Sequence, residues 1–233
     1  LMDGVVMGGG MGIAQAGPQA RVRVVTERTK MAMPETGIGL FPDVGGGWCL
    51  SRAPGQLGAY LGVTGEVINA TDAIEADLAD VLVPGNELAA LQDAIVGAAD
   101  AREAIQAFAS RFAGQAGALP GKLAQHRAAI DRHFAFDSVP EIIDSLSADD
   151  SEFAQATLAT MRKRSPLMMC VTLSQIRRAA AMGIADCLRM ERTMVRRCFE
   201  NGEVLEGVRA LAIDKDQDRK STRLNSSHSD RSR

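Results

Sequence analysis

The first group of residues suited to chemistry is a glycine-rich run at positions 8–12, Gly-Gly-Gly-Met-Gly, which follows a short apolar stretch. Glycine lets the main chain approach a ligand closely, and a helix that begins there presents unpaired N–H groups to developing negative charge. The run therefore predicts a site for an oxyanion. A dinucleotide fingerprint would need a small residue where Ile13 stands, and the Gly-Lys-Ser/Thr of a phosphate loop is missing from the run. A purely structural turn remains the alternative.

Two carboxylates, Glu35 and Asp43, lie eight residues apart in an apolar segment bounded by glycines and prolines. Apolar neighbours such as Leu40 and Phe41 favour the protonated form of a carboxylate and raise its pKa. A raised pKa suits a carboxylate to acid–base or nucleophilic catalysis. The segment therefore predicts one or two catalytic carboxylates, with solvated loop carboxylates as the alternative.

The elements that must position these residues are short β-rich runs separated by turns and short helices. We predict strands at residues 2–7, 21–26, 31–33 and 79–83, and helices at 8–16 and 57–63. This mixture indicates an α/β core that carries the site within residues 1–84. The first predicted strand starts almost at Leu1, so we expect the chain to begin inside an element.

From Pro84 onward the pattern is helical. We predict that Asn86 caps a helix whose apolar stripe is Leu88, Leu91, Ile95 and Ala98. Further helix starts are predicted at Ser138, in a capping box with Glu141, at Asp150 or Ser151, and at Ser165. Two more helices are predicted at residues 185–200 and 203–213. We assign residues 85–218 to a helical region and the serine- and arginine-rich residues 219–233 to a disordered or non-native tail.

Composition narrows the classes of function. The chain has 233 residues, 46% of them hydrophobic and 24% charged, and its net charge is −3. This charge does not favour binding to nucleic acid, and no apolar run approaches the roughly 18 residues of a membrane-spanning helix. The four cysteines form no Cys-x-x-Cys pair and no histidine clusters with them, so we expect no metal site and a reducing, cytoplasmic location.

Residues 4–47 resemble the crotonase (enoyl-CoA hydratase/isomerase) superfamily. The resemblance is carried by the glycine triplet and by Met-Pro-Glu-Thr-Gly-Ile-Gly-Leu-Phe-Pro-Asp-Val-Gly-Gly at residues 33–46. The Phe-Pro-Asp-Val-Gly-Gly segment is similar to the subgroup of hydrolases that cleave 3-hydroxyisobutyryl-CoA. Further segments similar to that subgroup lie at residues 152–167, 187–191, 206–210 and 214–216. The implied fold is α/β: a crotonase-like ββα spiral core, incomplete in this chain, followed by a mainly helical C-terminal region.

The resemblance also implies a site. The substrate would be an acyl-CoA whose thioester oxygen is held by the Gly9 N–H and by a second donor upstream of Leu1. Glu35 matches the catalytic glutamate of the superfamily, and Asp43 matches the carboxylate that the hydrolases place near the hydroxyl and the reacting carbon of the substrate. Hydratases usually carry a second glutamate two residues after the triplet, where Gly12 stands here.

This pattern implies hydrolysis of 3-hydroxyisobutyryl-CoA in valine breakdown. The resemblance implies no cofactor besides the coenzyme A of the substrate, and the mitochondrial matrix as the location if the source is eukaryotic. A homo-oligomer is possible, and the sequence leaves the oligomeric state open. Two alternatives remain open. The protein could be an enoyl-CoA hydratase or isomerase, or the chain as given could be an inactive fragment whose helices only bind partners.

Overall fold

The computed structural model describes residues 1–16, 21–113 and 120–215. The strands are β1 (Val5–Met7), β2 (Val24–Val25), β3 (Lys30–Ala32) and β4 (Val81–Leu82). The four predicted strands are thus confirmed: β1, β2 and β4 are shorter than predicted, and β3 has the predicted length but begins one residue earlier. The predicted tail, residues 219–233, lies outside the described residues.

The strands pair in parallel. β1 pairs with β3, with Val6 opposite Met31, and β2 pairs with β4, with Val25 opposite Leu82. A further parallel bridge joins Met2 to Val25, which links the two strand pairs. Parallel neighbours require crossover connections, and helices supply them. The expected α/β class with a mainly helical C-terminal region is confirmed.

Helices make up most of the remaining structure. The α-helices are α1 (Gly9–Gln15), α2 (Gly46–Leu50), α3 (Leu57–Thr64), α4 (Ala70–Glu75), α5 (Leu88–Val96), α6 (Ala101–Ser110), α7 (Leu123–His133), α8 (Val139–Ser147), α9 (Glu152–Met161), α10 (Pro166–Ala179), α11 (Ile184–Glu200) and α12 (Glu203–Val208). Short 3₁₀ turns lie at Glu35–Ile38 and Gly85–Glu87, and a π-helical turn at Arg209–Ile213 follows α12. The sequence patterns do not predict α2, α4, α6 or α7.

Three predicted helix caps are confirmed. The side chains of Ser138, Ser151 and Ser165 accept hydrogen bonds from main-chain N–H groups in the first turns of α8, α9 and α10. The predicted cap at Asn86 is wrong. Asn86 lies inside a 3₁₀ turn whose Gly85 N–H is bonded to the Glu27 carboxylate at 2.8 Å, and α5 begins after that turn without a side-chain cap.

The central helix of the fold is α3. All of its side chains are buried, because it packs against α10, α2 and α7 at once. The largest hydrophobic cluster joins strand residues such as Met31 to Leu61 of α3 and Leu173 of α10. The later helices therefore pack directly on the segment that carries the candidate site. Within the described part of the chain, no helix has both the length and the apolarity needed to cross a bilayer.

Candidate active site

The glycine run forms the junction between β1 and α1. Gly8 has φ 52° and ψ −124°, and its N–H is bonded to the Ala32 carbonyl on β3 at 3.2 Å. The first turn of α1 closes when the Gly12 N–H donates to the Gly8 carbonyl at 3.0 Å. N–H groups in the first turn of a helix have no acceptor within it. The N–H groups of Gly9 and Gly10 are therefore available at an exposed surface.

Glu35 begins the 3₁₀ turn that follows Pro34, and only 5% of it is exposed. Its carboxylate lies against the glycine run: a Cβ atom built on Gly8 would be 2.7 Å from Glu35 Oε1. Its other oxygen, Oε2, is buried and has no hydrogen-bond partner among the described residues. A buried oxygen without a partner, beside available amides, is suited to contact a substrate or a water.

The surroundings of Glu35 favour its protonated form. The pKa of Glu35 rises to about 7, mainly because the carboxyl group is buried. A hydrogen bond to the main chain lowers the pKa, and the negative charge of Asp43 raises it further. Both protonation states are then populated near neutral pH. This is the range in which a carboxylate acts effectively as a general base or nucleophile.

Asp43 lies in the turn between Pro42 and α2. The turn closes with a 2.8 Å hydrogen bond from the Gly46 N–H to the Asp43 carbonyl. Val44 and Gly45 both have positive φ, 53° and 81°. The Asp43 side chain is half-buried, and burial raises its pKa. The carboxylate is therefore partly shielded from water and acts electrostatically on Glu35.

The turn that carries Asp43 also packs on the glycine run. A Cβ atom built on Gly12 would lie 2.6 Å from both the Cβ and the carbonyl oxygen of Val44. Position 12 therefore has no room for a side chain. The place where hydratases were expected to carry a second glutamate is occupied by the turn that presents Asp43.

The structure thus brings together the three residues singled out in the sequence. Glu35 lies against Gly8, the residue before Gly9. Val44, the residue after Asp43, lies against Gly12 of the same glycine run. Their catalytic roles stay predictions. Two grooves lie elsewhere, one of about 460 Å³ beside α7 and one of about 510 Å³ beside α11. Among the described residues that line them, none is Gly9, Glu35 or Asp43. No cluster of three His, Cys, Asp or Glu side chains suited to a metal occurs in the described residues.

Later helices hold the turn that carries Glu35. The Ser165 N–H, at the start of α10, donates to the Thr36 carbonyl at 2.9 Å. α12 also approaches the turn so closely at Gly207 that a side chain there would collide with the Ile38 carbonyl. The main chain around Glu35 is therefore enclosed by elements more than 100 residues away in sequence.

Two buried polar residues that the sequence analysis did not single out hold the turn that carries Asp43. Glu191 of α11 accepts a 2.8 Å hydrogen bond from the Gly45 N–H, and Gln175 of α10 donates to the Pro42 carbonyl at 2.7 Å. One signal was available in the sequence. Glu191 lies four residues after Cys187 and seven before Cys198, which places a charge on the buried stripe of α11.

Comparisons with known proteins give the affiliation of the chain. The family model for enoyl-CoA hydratase/isomerase matches residues 1–226. Among curated relatives, the 3-hydroxyisobutyryl-CoA hydrolase of Xenopus tropicalis is 37% identical over 224 residues, which is 94% of this chain and 57% of that protein. The human 3-hydroxyisobutyryl-CoA hydrolase is 36% identical over 221 residues, covering 93% of this chain and 56% of that protein. The chain thus spans a little over half the length of these relatives.

Two solved structures are similar in fold. A carnitinyl-CoA dehydratase from Mycobacterium thermoresistibile has a TM-score of 0.81 and 39% identity, over 91% of this chain and 60% of that chain. An enoyl-CoA hydratase from Rhodobacter sphaeroides 2.4.1 has a TM-score of 0.75 and 36% identity, over 93% and 60% of the two chains. With a family match through almost its whole length and this fold, the chain belongs to the enoyl-CoA hydratase/isomerase family.

Proposed function

We propose that the protein hydrolyses the thioester of 3-hydroxyisobutyryl-CoA to 3-hydroxyisobutyrate and coenzyme A, a step of valine breakdown. The observation that carries the proposal is the contact between Glu35 and the main chain of Gly8. It puts a carboxylate with a raised pKa beside the N–H groups of a helix start. Acyl transfer requires these two components, a base or nucleophile and an oxyanion site.

The contact between Gly12 and Val44 favours hydrolysis over hydration. Hydration of an enoyl-CoA places a proton and a hydroxyl on two neighbouring carbons, and the hydratases of the superfamily were expected to use a second glutamate for it. Here Val44 fills the space at position 12. The curated relatives carry the name hydrolase, whereas the two solved structures carry the names dehydratase and hydratase. The filled space supports the hydrolase reading.

In the proposed mechanism, the Gly9 N–H donates to the thioester oxygen as negative charge develops there. One such donor typically contributes about 10²–10³ in rate, roughly 2.7–4 kcal/mol. Asp43 orients the substrate by binding the hydroxyl group of the substrate. In this mechanism the α1 amide acts on the thioester oxygen, Asp43 on the substrate hydroxyl, and Glu35 on the acyl carbon or on the attacking water.

Two routes lead to the products. In the first, a Glu35 oxygen bonds to the acyl carbon, the C–S bond breaks, coenzyme A leaves as the thiolate, and water cleaves the resulting anhydride. In the second, Glu35 takes a proton from a water whose oxygen bonds to the acyl carbon, and the thiolate leaves and is protonated. Both routes use one water and need no cofactor beyond the coenzyme A of the substrate. After repeated turnovers in ¹⁸O-water, ¹⁸O in the Glu35 carboxylate identifies the anhydride route.

The test offers the intact protein 3-hydroxyisobutyryl-CoA and a short enoyl-CoA, with thiol release and hydration followed separately. We expect free thiol from the first substrate only, and none from the Glu35→Gln variant. Hydration of the enoyl-CoA without thiol release would refute the proposal. The same assay on residues 1–233 tests the inactive-fragment alternative: a fragment that serves only as a binding module releases no thiol.

The remaining assignments are part of the same proposal. The vertebrate relatives carry the word mitochondrial in their names, which supports a mitochondrial matrix location if the source is eukaryotic. For any other source we propose a cytoplasmic location. We also propose a homo-oligomer without nucleic acid or membrane partners. Sedimentation of the intact protein with and without an acyl-CoA measures the oligomeric state.

A further inference from the structure

The turn that presents Asp43 is tied to two distant helices by a buried pair of polar side chains. Glu191 Oε2 accepts the Gly45 N–H at 2.8 Å, and Gln175 Nε2 donates to the Pro42 carbonyl at 2.7 Å. The same Gln175 nitrogen lies 3.3 Å from Glu191 Oε1, so the two side chains also bond to each other. Asp43 is therefore flanked on both sides by main-chain groups that these side chains hold.

The buried pair has an energetic cost, because Gln175 Oε1 has no hydrogen-bond partner among the described residues, and this argues for a purpose beyond packing. Glu191 is only 3% exposed and Gln175 only 1%. Among the described residues, no lysine or arginine forms an ion pair with Glu191; its carboxylate is instead met by the N–H groups of Gly45 and Gly47 and by Gln175. Burying a carboxylate without a cation is expensive unless hydrogen bonds satisfy it.

The turn itself requires external support. Val44 is β-branched and has φ 53°, a region that such residues rarely occupy. A residue held there costs of order 1–3 kcal/mol and persists only when its surroundings enforce the conformation. The bonds to Pro42 and Gly45 enforce it from both sides of Val44. Without them, the turn would be free to relax and to carry Asp43 away from Glu35.

We propose that Glu191 and Gln175 are positioning residues that act on catalysis through Asp43, a role that rests on the proposed hydrolase function. Both side chains are buried and bond to main-chain groups of the turn. Their effect is to fix the main chain that carries Asp43 against the glycine run.

The experiment is a double-mutant cycle in the intact protein, with kcat and KM measured for 3-hydroxyisobutyryl-CoA. Glu191→Ala is expected to lower kcat/KM about 10–100-fold in the wild-type background and less than twofold in the Asp43→Asn background. Glu191→Gln keeps an oxygen for the Gly45 N–H and is expected to lose less than fivefold. Equal losses of Glu191→Ala in both backgrounds would overturn the proposal.

Cys187→Ala is the matched control, since Cys187 lies buried one turn earlier on the same face of α11. It is expected to lower the melting temperature while leaving kcat/KM within twofold. If Glu191→Ala does not fold, Gln175→Ala must show the same dependence on Asp43. Equal losses of Gln175→Ala in both backgrounds would equally overturn the proposal.

A second readout does not depend on activity. Hydrogen exchange at the Gly45 amide is expected to accelerate at least tenfold in Glu191→Ala and to stay unchanged in Cys187→Ala. Unchanged exchange in Glu191→Ala would overturn the positioning role even in an active enzyme. If the wild-type protein releases no thiol while Gly45 exchange responds as expected, the proposed function fails and the hold of Glu191 on the turn stands.

Discussion

The carboxylate of Glu35 lies against the α-carbon of Gly8, so closely that a methyl group on Gly8 would come within 2.7 Å of Oε1. The two residues are 27 positions apart and are brought together because β1 and β3 pair in parallel. Glycine is required at position 8 for two independent reasons: its φ is 52°, and Glu35 occupies the space of a side chain.

Gly8→Ala is accordingly expected to displace Glu35 and to lower kcat at least 100-fold, with a loss of about 1–3 kcal/mol in the free energy of unfolding. Gly10→Ala is the stability control, because a Cβ atom at Gly10 meets nothing within 4 Å. It lies in a helix and is expected to keep or slightly raise the wild-type stability. A Gly8→Ala enzyme with wild-type kcat would contradict the contact.

The rate of hydrolysis should depend on pH through Glu35. Because the ionised carboxylate is the base or nucleophile, kcat/KM is expected to rise with pH and to reach half its maximum near pH 7, the pKa of Glu35. The charge of Asp43 contributes to that raised pKa, so Asp43→Asn should move the midpoint to lower pH. A rate profile that is flat from pH 5 to 9 would show that Glu35 is not the titrating group.

Glu35→Gln is expected to abolish hydrolysis, with a loss of at least 10³-fold, and to stabilise the fold above neutral pH. The pKa of Glu35 rises on folding, so the folded state binds the proton more tightly and the wild-type stability falls as pH rises from about 4.5 to about 7. A glutamine at position 35 does not titrate, so the Glu35→Gln variant does not lose stability as the pH rises. Urea unfolding should show Glu35→Gln to be more stable by about 1–3 kcal/mol at pH 8, and the gain should nearly vanish at pH 4.5. Equal gains at both pH values would contradict this origin.

Introducing a carboxylate after the glycine triplet should not create a hydratase. A side chain at Gly12 collides with the main chain of Val44, so Gly12→Glu is expected to destabilise the protein by about 3 kcal/mol or more and to disturb the turn that carries Asp43. Ile13→Glu is the control, since Ile13 is 75% exposed. Melting curves and an enoyl-CoA hydration assay measure both effects. A stable Gly12→Glu variant that hydrates would refute the steric argument.

Features that depend on near neighbours in sequence were predictable. Ser138, Ser151 and Ser165 cap helices through bonds to residues three positions ahead, and such bonds need no other part of the chain. The exception is Asn86, which lies inside a 3₁₀ turn at residues 85–87; the distant Glu27 accepts a hydrogen bond from the Gly85 N–H at the start of that turn. Local chemistry therefore predicts a cap only where the folded chain leaves the capping residue just before the helix and not inside another turn.

The order of amino acids was enough to predict a strand, a glycine run and a helix in succession, an order that creates available amides. It also identified Glu35 and Asp43 as candidate carboxylates. It did not indicate which surroundings they would have. The burial that raises the pKa of Glu35, the contact of Val44 with Gly12 and the hold of Glu191 on the turn 146 residues away exist only in the folded chain. Burial and contact between distant segments are set by how all elements pack together, and a local pattern of residues cannot encode them.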